Sequence, residues 1–174
     1  MGCRQSLCVA WLVLSLGGCM GGREVKIDQR FDPVAAAYIN KSGESRIDGH
    51  AFLKKPNGRA MNAVGDYVWL IPATPYAKER MKRLYGNAKF MPASAMNRAE
   101  ETDPKFYEFT RKTKAESNGR FTFDKVAPGE YFIATNIVWK DDEYDVLSRG
   151  GAVYEAVTVT GKEERIIRVV VNGM

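Results

Sequence analysis

Cysteine disappears from this chain after residue 19. All three, Cys3, Cys8 and Cys19, lie at the start of its 174 residues. The body that follows has no disulfide framework, no thiolate metal site and no cysteine nucleophile. Histidine is nearly as scarce. His50 stands alone on an expected strand, and metal sites draw three or four ligands, so it reads as a structural or surface residue. The HExxH zinc hydrolases are excluded by that count. There is no Gly-rich phosphate cradle, no dinucleotide fingerprint and no nucleophile elbow. A basic block is missing as well. The 26 Lys and Arg are interleaved with 21 Asp and Glu, so the net charge of +5 belongs to a mixed, solvated surface and not to a nucleic-acid track. The acidic cluster Asp141, Asp142, Glu143 and Asp145 offers oxygen ligands, but it lacks the glycine and spacing of a calcium loop and has Lys140 beside it. It reads as a solvated loop. These absences predict a body with no metal, no cofactor and no catalytic residues.

The N-terminus is informative. Arg4 precedes the apolar run 7–16, and small residues follow it, which is the order of a secretory signal. The run is about half of the roughly 20 residues a spanning helix needs. Gly2 and Ser6 also fit an N-myristoylation signal, but the apolar segment behind them favours export. Leu16-Gly17-Gly18-Cys19 resembles the lipobox of bacterial lipoproteins. That resemblance implies a leader at 1–18, recognition through Leu16, Gly17 and Gly18, and acylation of Cys19 as the first mature residue. It also accounts for the end of cysteine use, because the retained thiol carries the lipid. Met20 follows the cysteine where an aspartate would favour the inner membrane, so the resemblance implies an outer-membrane protein facing the periplasm. Its partners would be the membrane, through the lipid, and an envelope protein or glycan; nucleic acid is not expected there.

After the anchor, 19–44 is expected to be a tether with a short helix, capped by Asp32, started by Pro33 and stopped by Gly43. From residue 45 the pattern is β. "SRIDGHAFLKK" runs into a turn at Pro56-Asn57-Gly58, and "GDYVWLIP" follows. In the second strand Val68 and Leu70 share one face while Tyr67, Trp69 and Ile71 share the other, so both faces are expected to be covered. "TPYAKERMKRLYG" reads as a helix with Thr74 as cap and an apolar stripe of Ala77, Met81, Leu84 and Tyr85. Its basic outer face suits a membrane or partner, but the stripe favours a helix laid on the sheet. Residues 87–104 show no period and are expected to be long and mobile, the rest of an insertion spanning about 73–105. The segment 105–117 reads as a strand. Turns at Asn118-Gly119 and Pro128-Gly129 then separate two more strands. A loop, "KDDEYDVLSRGG", interrupts, and two strands around Gly161 close the chain, with Ile167, Val169 and Val171 on one face.

"ESNGRFTFDKVAPGEYFI" resembles the carboxypeptidase regulatory-like domain, and "GHAFLKKPNGRAMNAVGDYVWLIP" resembles its opening strands. The closing "YEAVTVTGKEERIIRVVV" is similar to its last two. The resemblance covers about 45–172. It implies an all-β, mainly antiparallel, transthyretin-like Greek-key sandwich of about seven strands, with a helical insertion. The related hydroxyisourate hydrolases use several histidines and a Tyr-Arg-Gly-Ser C-terminus, whereas this chain has one histidine and ends Asn-Gly-Met. The expectation is a non-catalytic envelope lipoprotein that binds or supports another component. A carbohydrate- or peptide-processing enzyme or accessory near the insertion, and a surface adhesin, stay open at this point. Aromatic side chains in or near loops are the candidates for a binding surface, because ring faces stack on sugars and fill interface pockets. They are Tyr76, Phe90, Tyr107, Trp139 and Tyr144, with Phe106 beside them.

Overall fold

Strict alternation of apolar and polar residues requires two faces of different character, and the chain satisfies it with two packed sheets. The computed structural model describes residues 22–99, 102–162 and 166–174. The leader and the lipobox, including Leu16, Gly17, Gly18 and Cys19, lie outside the described residues.

The strands in chain order are β1 (Glu24–Val25), β2 (Ser42–Lys54), β3 (Ala60–Asn62), β4 (Tyr67–Pro72), β5 (Phe90–Pro92) and β6 (Arg98–Ala99). They continue with β7 (Arg111–Lys114), β8 (Arg120–Val126), β9 (Gly129–Trp139), β10 (Arg149–Val159) and β11 (Ile166–Val171). The helices are α1 (Pro33–Ala36), α2 (Pro75–Tyr85) and α3 (Pro104–Glu108). One sheet is antiparallel throughout, in the order β5-β10-β9-β4-β7. The other is built on β2. Strand β11 runs parallel along one side of it, and β8 and then β3 pair antiparallel along the other.

The inner faces bury Ile47, Val68, Leu70, Val126, Tyr131, Ile133, Ile137, Val153 and Val171 in one cluster. Burial of each such side chain stabilises the fold by about 1.5–3 kcal/mol. The tip of the Phe121 ring reaches over Gly49 of β2, where a Cβ would fall 2.0 Å from it. As read from sequence, β4 is covered on both sides. Val68 and Leu70 enter the inter-sheet core, and Ile71 and Trp69 belong to a second cluster outside the five-stranded sheet. Helix α2 provides that cover with Tyr76, Ala77 and Met81 buried, and its N-cap Thr74 accepts from the Ala77 amide. Its stripe therefore serves the core.

Several expectations need correction. The segment 105–117 does not begin as a strand. It opens with α3, whose N-cap Asp103 accepts from the Lys105 amide, and only 111–114 is β. Residues 87–99 are ordered by pairing: β5 joins β10, and β6 joins β1. The stretch expected to act as a tether is docked from residue 23 onward. Ile27 and Phe31 pack on the second cluster, and the Gln29 amide donates to Glu79. Gly43 lies inside β2, and the helical segment ends earlier, at Asn40. The two strands expected around Gly161 are present and belong to different sheets, β10 to one and β11 to the other.

Candidate functional site

At one end of the sandwich the sheets part and leave a groove of about 430 Å³, lined by Leu53, Phe90, Trp139, Arg149 and Asn172, among others. Period two explains the position of the tryptophan. Tyr131, Ile133, Thr135, Ile137 and Trp139 alternate along β9 on the inner face, and Trp139 is the last, where no further layer covers it. The indole needs space from the neighbouring strand. Gly150 provides it: φ there is +81°, and a Cβ would fall 2.0 Å from the Ile137 carbonyl oxygen and 2.5 Å from the indole ring.

A charged cluster stands beside the ring. Lys55 Nζ donates to Asp141 Oδ1 at 2.6 Å, and Arg149 Nε reaches Asp141 Oδ2 at 2.8 Å. One carboxylate is thus held by two cations, one on each oxygen. Lys55 Nζ also lies 5.4 Å from the centre of the Trp139 ring, within cation–π range. The bonded Lys55 ammonium, with Arg149 beyond it, holds the Asp141 carboxyl below the usual carboxylate range. The Trp139 N–H is buried close enough to favour the charged form, without reaching good hydrogen-bond geometry. The groove continues past Phe90 and Arg149 into a second hollow of about 590 Å³, edged by Ser94, Asp145 and Ser148. The groove thus joins an apolar ring face to the polar side chains of Arg149 and Asn172, with the Lys55–Asp141 pair beside it.

Of the aromatics singled out in the sequence, Phe90 and Trp139 meet in this groove. Tyr144 stands exposed on the neighbouring 140–148 loop. Tyr76 is not a surface residue. It is buried in the second cluster, edge-on to Phe31, with its hydroxyl unpartnered. Phe106 is buried there too. Tyr107 packs edge-on to Trp69 at 6.1 Å on the outer sheet face, beside a smaller cavity of about 170 Å³. Tyr85 lines that cavity, and burial pushes its phenol up to about 12. His50 contacts Asn62 Oδ1 at 3.1 Å and stacks on Phe52 at 4.9 Å, outside the groove lining. Sequence reasoning missed Lys55, Arg149 and Asn172. Nothing local marks them, because the Lys55–Asp141 pair spans 86 positions. Among the described residues no group of three His, Cys, Asp or Glu is placed to hold a metal.

Fold and groove together define an all-β, two-sheet protein with an open aromatic and charged cleft at one end. No family model matches the chain, and no curated protein does. It is similar to the crystal structure, at 2.61 Å resolution, of a "putative carbohydrate binding protein" (PA1324) from Pseudomonas aeruginosa. The two are 26% identical with a TM-score of 0.66, over 82% of this chain and 98% of the other.

Proposed function

We propose that this protein is a lipid-anchored, non-catalytic carbohydrate-binding protein of the bacterial envelope, and that the Trp139 groove is its binding site. The sandwich is read as a transthyretin-like Greek key of the carboxypeptidase regulatory-like kind, and the anchor as the acylated Cys19 at the outer membrane. The single observation that carries the ligand class is the Trp139 ring set in an open groove beside the Lys55–Asp141–Arg149 cluster. A sugar ring stacks its C–H face on the indole, and its hydroxyls exchange hydrogen bonds with the charged groups. The similarity to the Pseudomonas aeruginosa structure of a "putative carbohydrate binding protein" supports the same class. Asp141, paired with two cations and held below the usual carboxylate range, suits an acceptor of hydroxyl hydrogen bonds.

The test is an NMR titration of the mature chain with a panel of envelope-derived oligosaccharides. Resonances of 139, 149 and 172 are expected to shift saturably. Truncation W139A should weaken binding by about 2 kcal/mol, near 30-fold, as for an aromatic anchor. R149A, which leaves the indole packing in place, should weaken it less, and thermal melts of both variants check that the fold survives. A panel in which no sugar perturbs the groove sinks the reading.

A further inference from the structure

The 140–148 loop carries exposed apolar side chains. Tyr144 is 83% exposed, Val146 91% and Leu147 55%. The loop is also tied by hydrogen bonds of its own. Asp145 accepts from the Asp141 and Asp142 amides, and Asp142 accepts from the Tyr144 amide. Asp141 is engaged by Lys55 and Arg149. Three of its four carboxylates are thereby spent on loop amides or on cations, and the tip is left aromatic and aliphatic.

A shallow hollow of about 440 Å³ lies between this tip and the start of the described chain, with Val146 and Leu147 on one side and Gly22 and Arg98 on the other. Arg98 in that lining and Arg23, next to Gly22 in the chain, are exposed, and neither has an ion-pair partner among the described residues. Cys19 is three residues before Gly22, so its Cα lies within about 11 Å of that glycine whatever path the chain takes. A lipid on Cys19 keeps the bilayer surface within reach of this edge of the fold.

We infer that Tyr144, Val146 and Leu147, flanked by Arg23 and Arg98, form a second membrane contact that enters the headgroup region of the bilayer carrying the anchor. This rests on the lipid-anchored reading above. The chemistry matches a phospholipid interface. Tyrosine places its ring among acyl chains and its hydroxyl among headgroups, aliphatic side chains enter the outer few ångströms of the hydrocarbon, and arginine bonds phosphate. The contact turns a swivelling anchor into a fixed orientation, because one acylated residue and one loop define two points of attachment.

The test uses the full chain, processed in cells, extracted in detergent and reconstituted into phosphatidylcholine–phosphatidylethanolamine vesicles. After leader removal and acylation no free thiol is left, so V146C places one environment-sensitive dye at the loop tip. V170C, on the exposed outer face of β11, serves as the control. Dye at 146 should shift to the blue and be quenched at least about twofold by lipids spin-labelled near the headgroup, with dye at 170 unaffected. Mass spectrometry of the same samples reads the lipid on residue 19. If the lipid is present and the dye at 146 is as wet as at 170, the loop contact is wrong and the anchor stands. A dry dye at 146 without lipid quenching assigns the tip to a protein partner and overturns the inference. An unmodified Cys19 overturns both.

Discussion

Asp141 shows how much a single carboxylate decides in this protein. Its two oxygens each hold one cation, Lys55 and Arg149, and Arg149 in turn lines the groove beside Trp139. Because its folded-state pKa lies below the unfolded value of 3.8, the ion-pair contribution is complete above that pH and is lost as the pH falls from it through the folded value. The variant D141N should therefore melt below wild type at pH 7, and the gap should close as the pH is lowered under about 4. Scanning calorimetry of both proteins from pH 7 to 2.5 checks this; a gap that persists at the acid end would show that the carboxylate charge is irrelevant. Gly150 is the second decisive residue. G150A forces a side chain into positive φ and against the Ile137 carbonyl, and it should cost about 2 kcal/mol or more while pushing the indole out of place. Urea unfolding gives the cost, and Trp139 emission reports the displacement.

Elements follow their local rules except where two rules compete. Helix α2 was legible end to end. The Thr74-Pro75 start, the stripe of Ala77 and Met81, and Gly86 at φ +66° each have one physical meaning. T74A should lower stability by about 1 kcal/mol, or about 2–4 °C in melting temperature for a chain of this size, measured against wild type by thermal denaturation. Helix α3 was misread for an equally physical reason. Its five residues are too few for a 3.6-residue period to stand out, and Phe106-Tyr107 followed by Phe109 mimics a strand. The Asp103-Pro104 cap was the available signal. In the candidate site Trp139 and Phe90 could be named from type and loop position, because exposed-end aromatics serve few purposes. Tyr76 looked identical on those grounds. Its burial depends on Phe31 arriving from a segment 45 positions away, which no local pattern encodes.

For the whole molecule the arrangement is a sandwich core with a second layer fastened to one outer face. That layer is α2, α3 and the N-terminal segment from 23 to 31, and it is held by the smaller cluster. Fewer buried contacts mean a lower opening energy, so amides of α2 should exchange with deuterium faster than those of β4 and β9 in native-state hydrogen exchange. Uniform protection across both layers would argue for one cooperative unit. The proposed address is tested at this scale too. C19S should move the protein from the membrane fraction to the soluble fraction while leaving its β-rich circular dichroism unchanged.

The amino-acid order alone determined the long β stretches from residue 45 onward, though not β5, β6 or the helical start of 105–117. It also determined which faces of those stretches are apolar, where α2 begins and ends, and that the body has no cysteine. Those are properties of neighbours along the chain, governed by periods of two and 3.6 and by the φ preferences of glycine and proline. Only the tertiary structure decided that β11 lies parallel to β2, that residues 23–31 are docked, and that Lys55, Asp141 and Arg149 converge on Trp139. Such pairings join residues tens of positions apart, and their energy comes from burial and charge contact in three dimensions, which a linear pattern does not record.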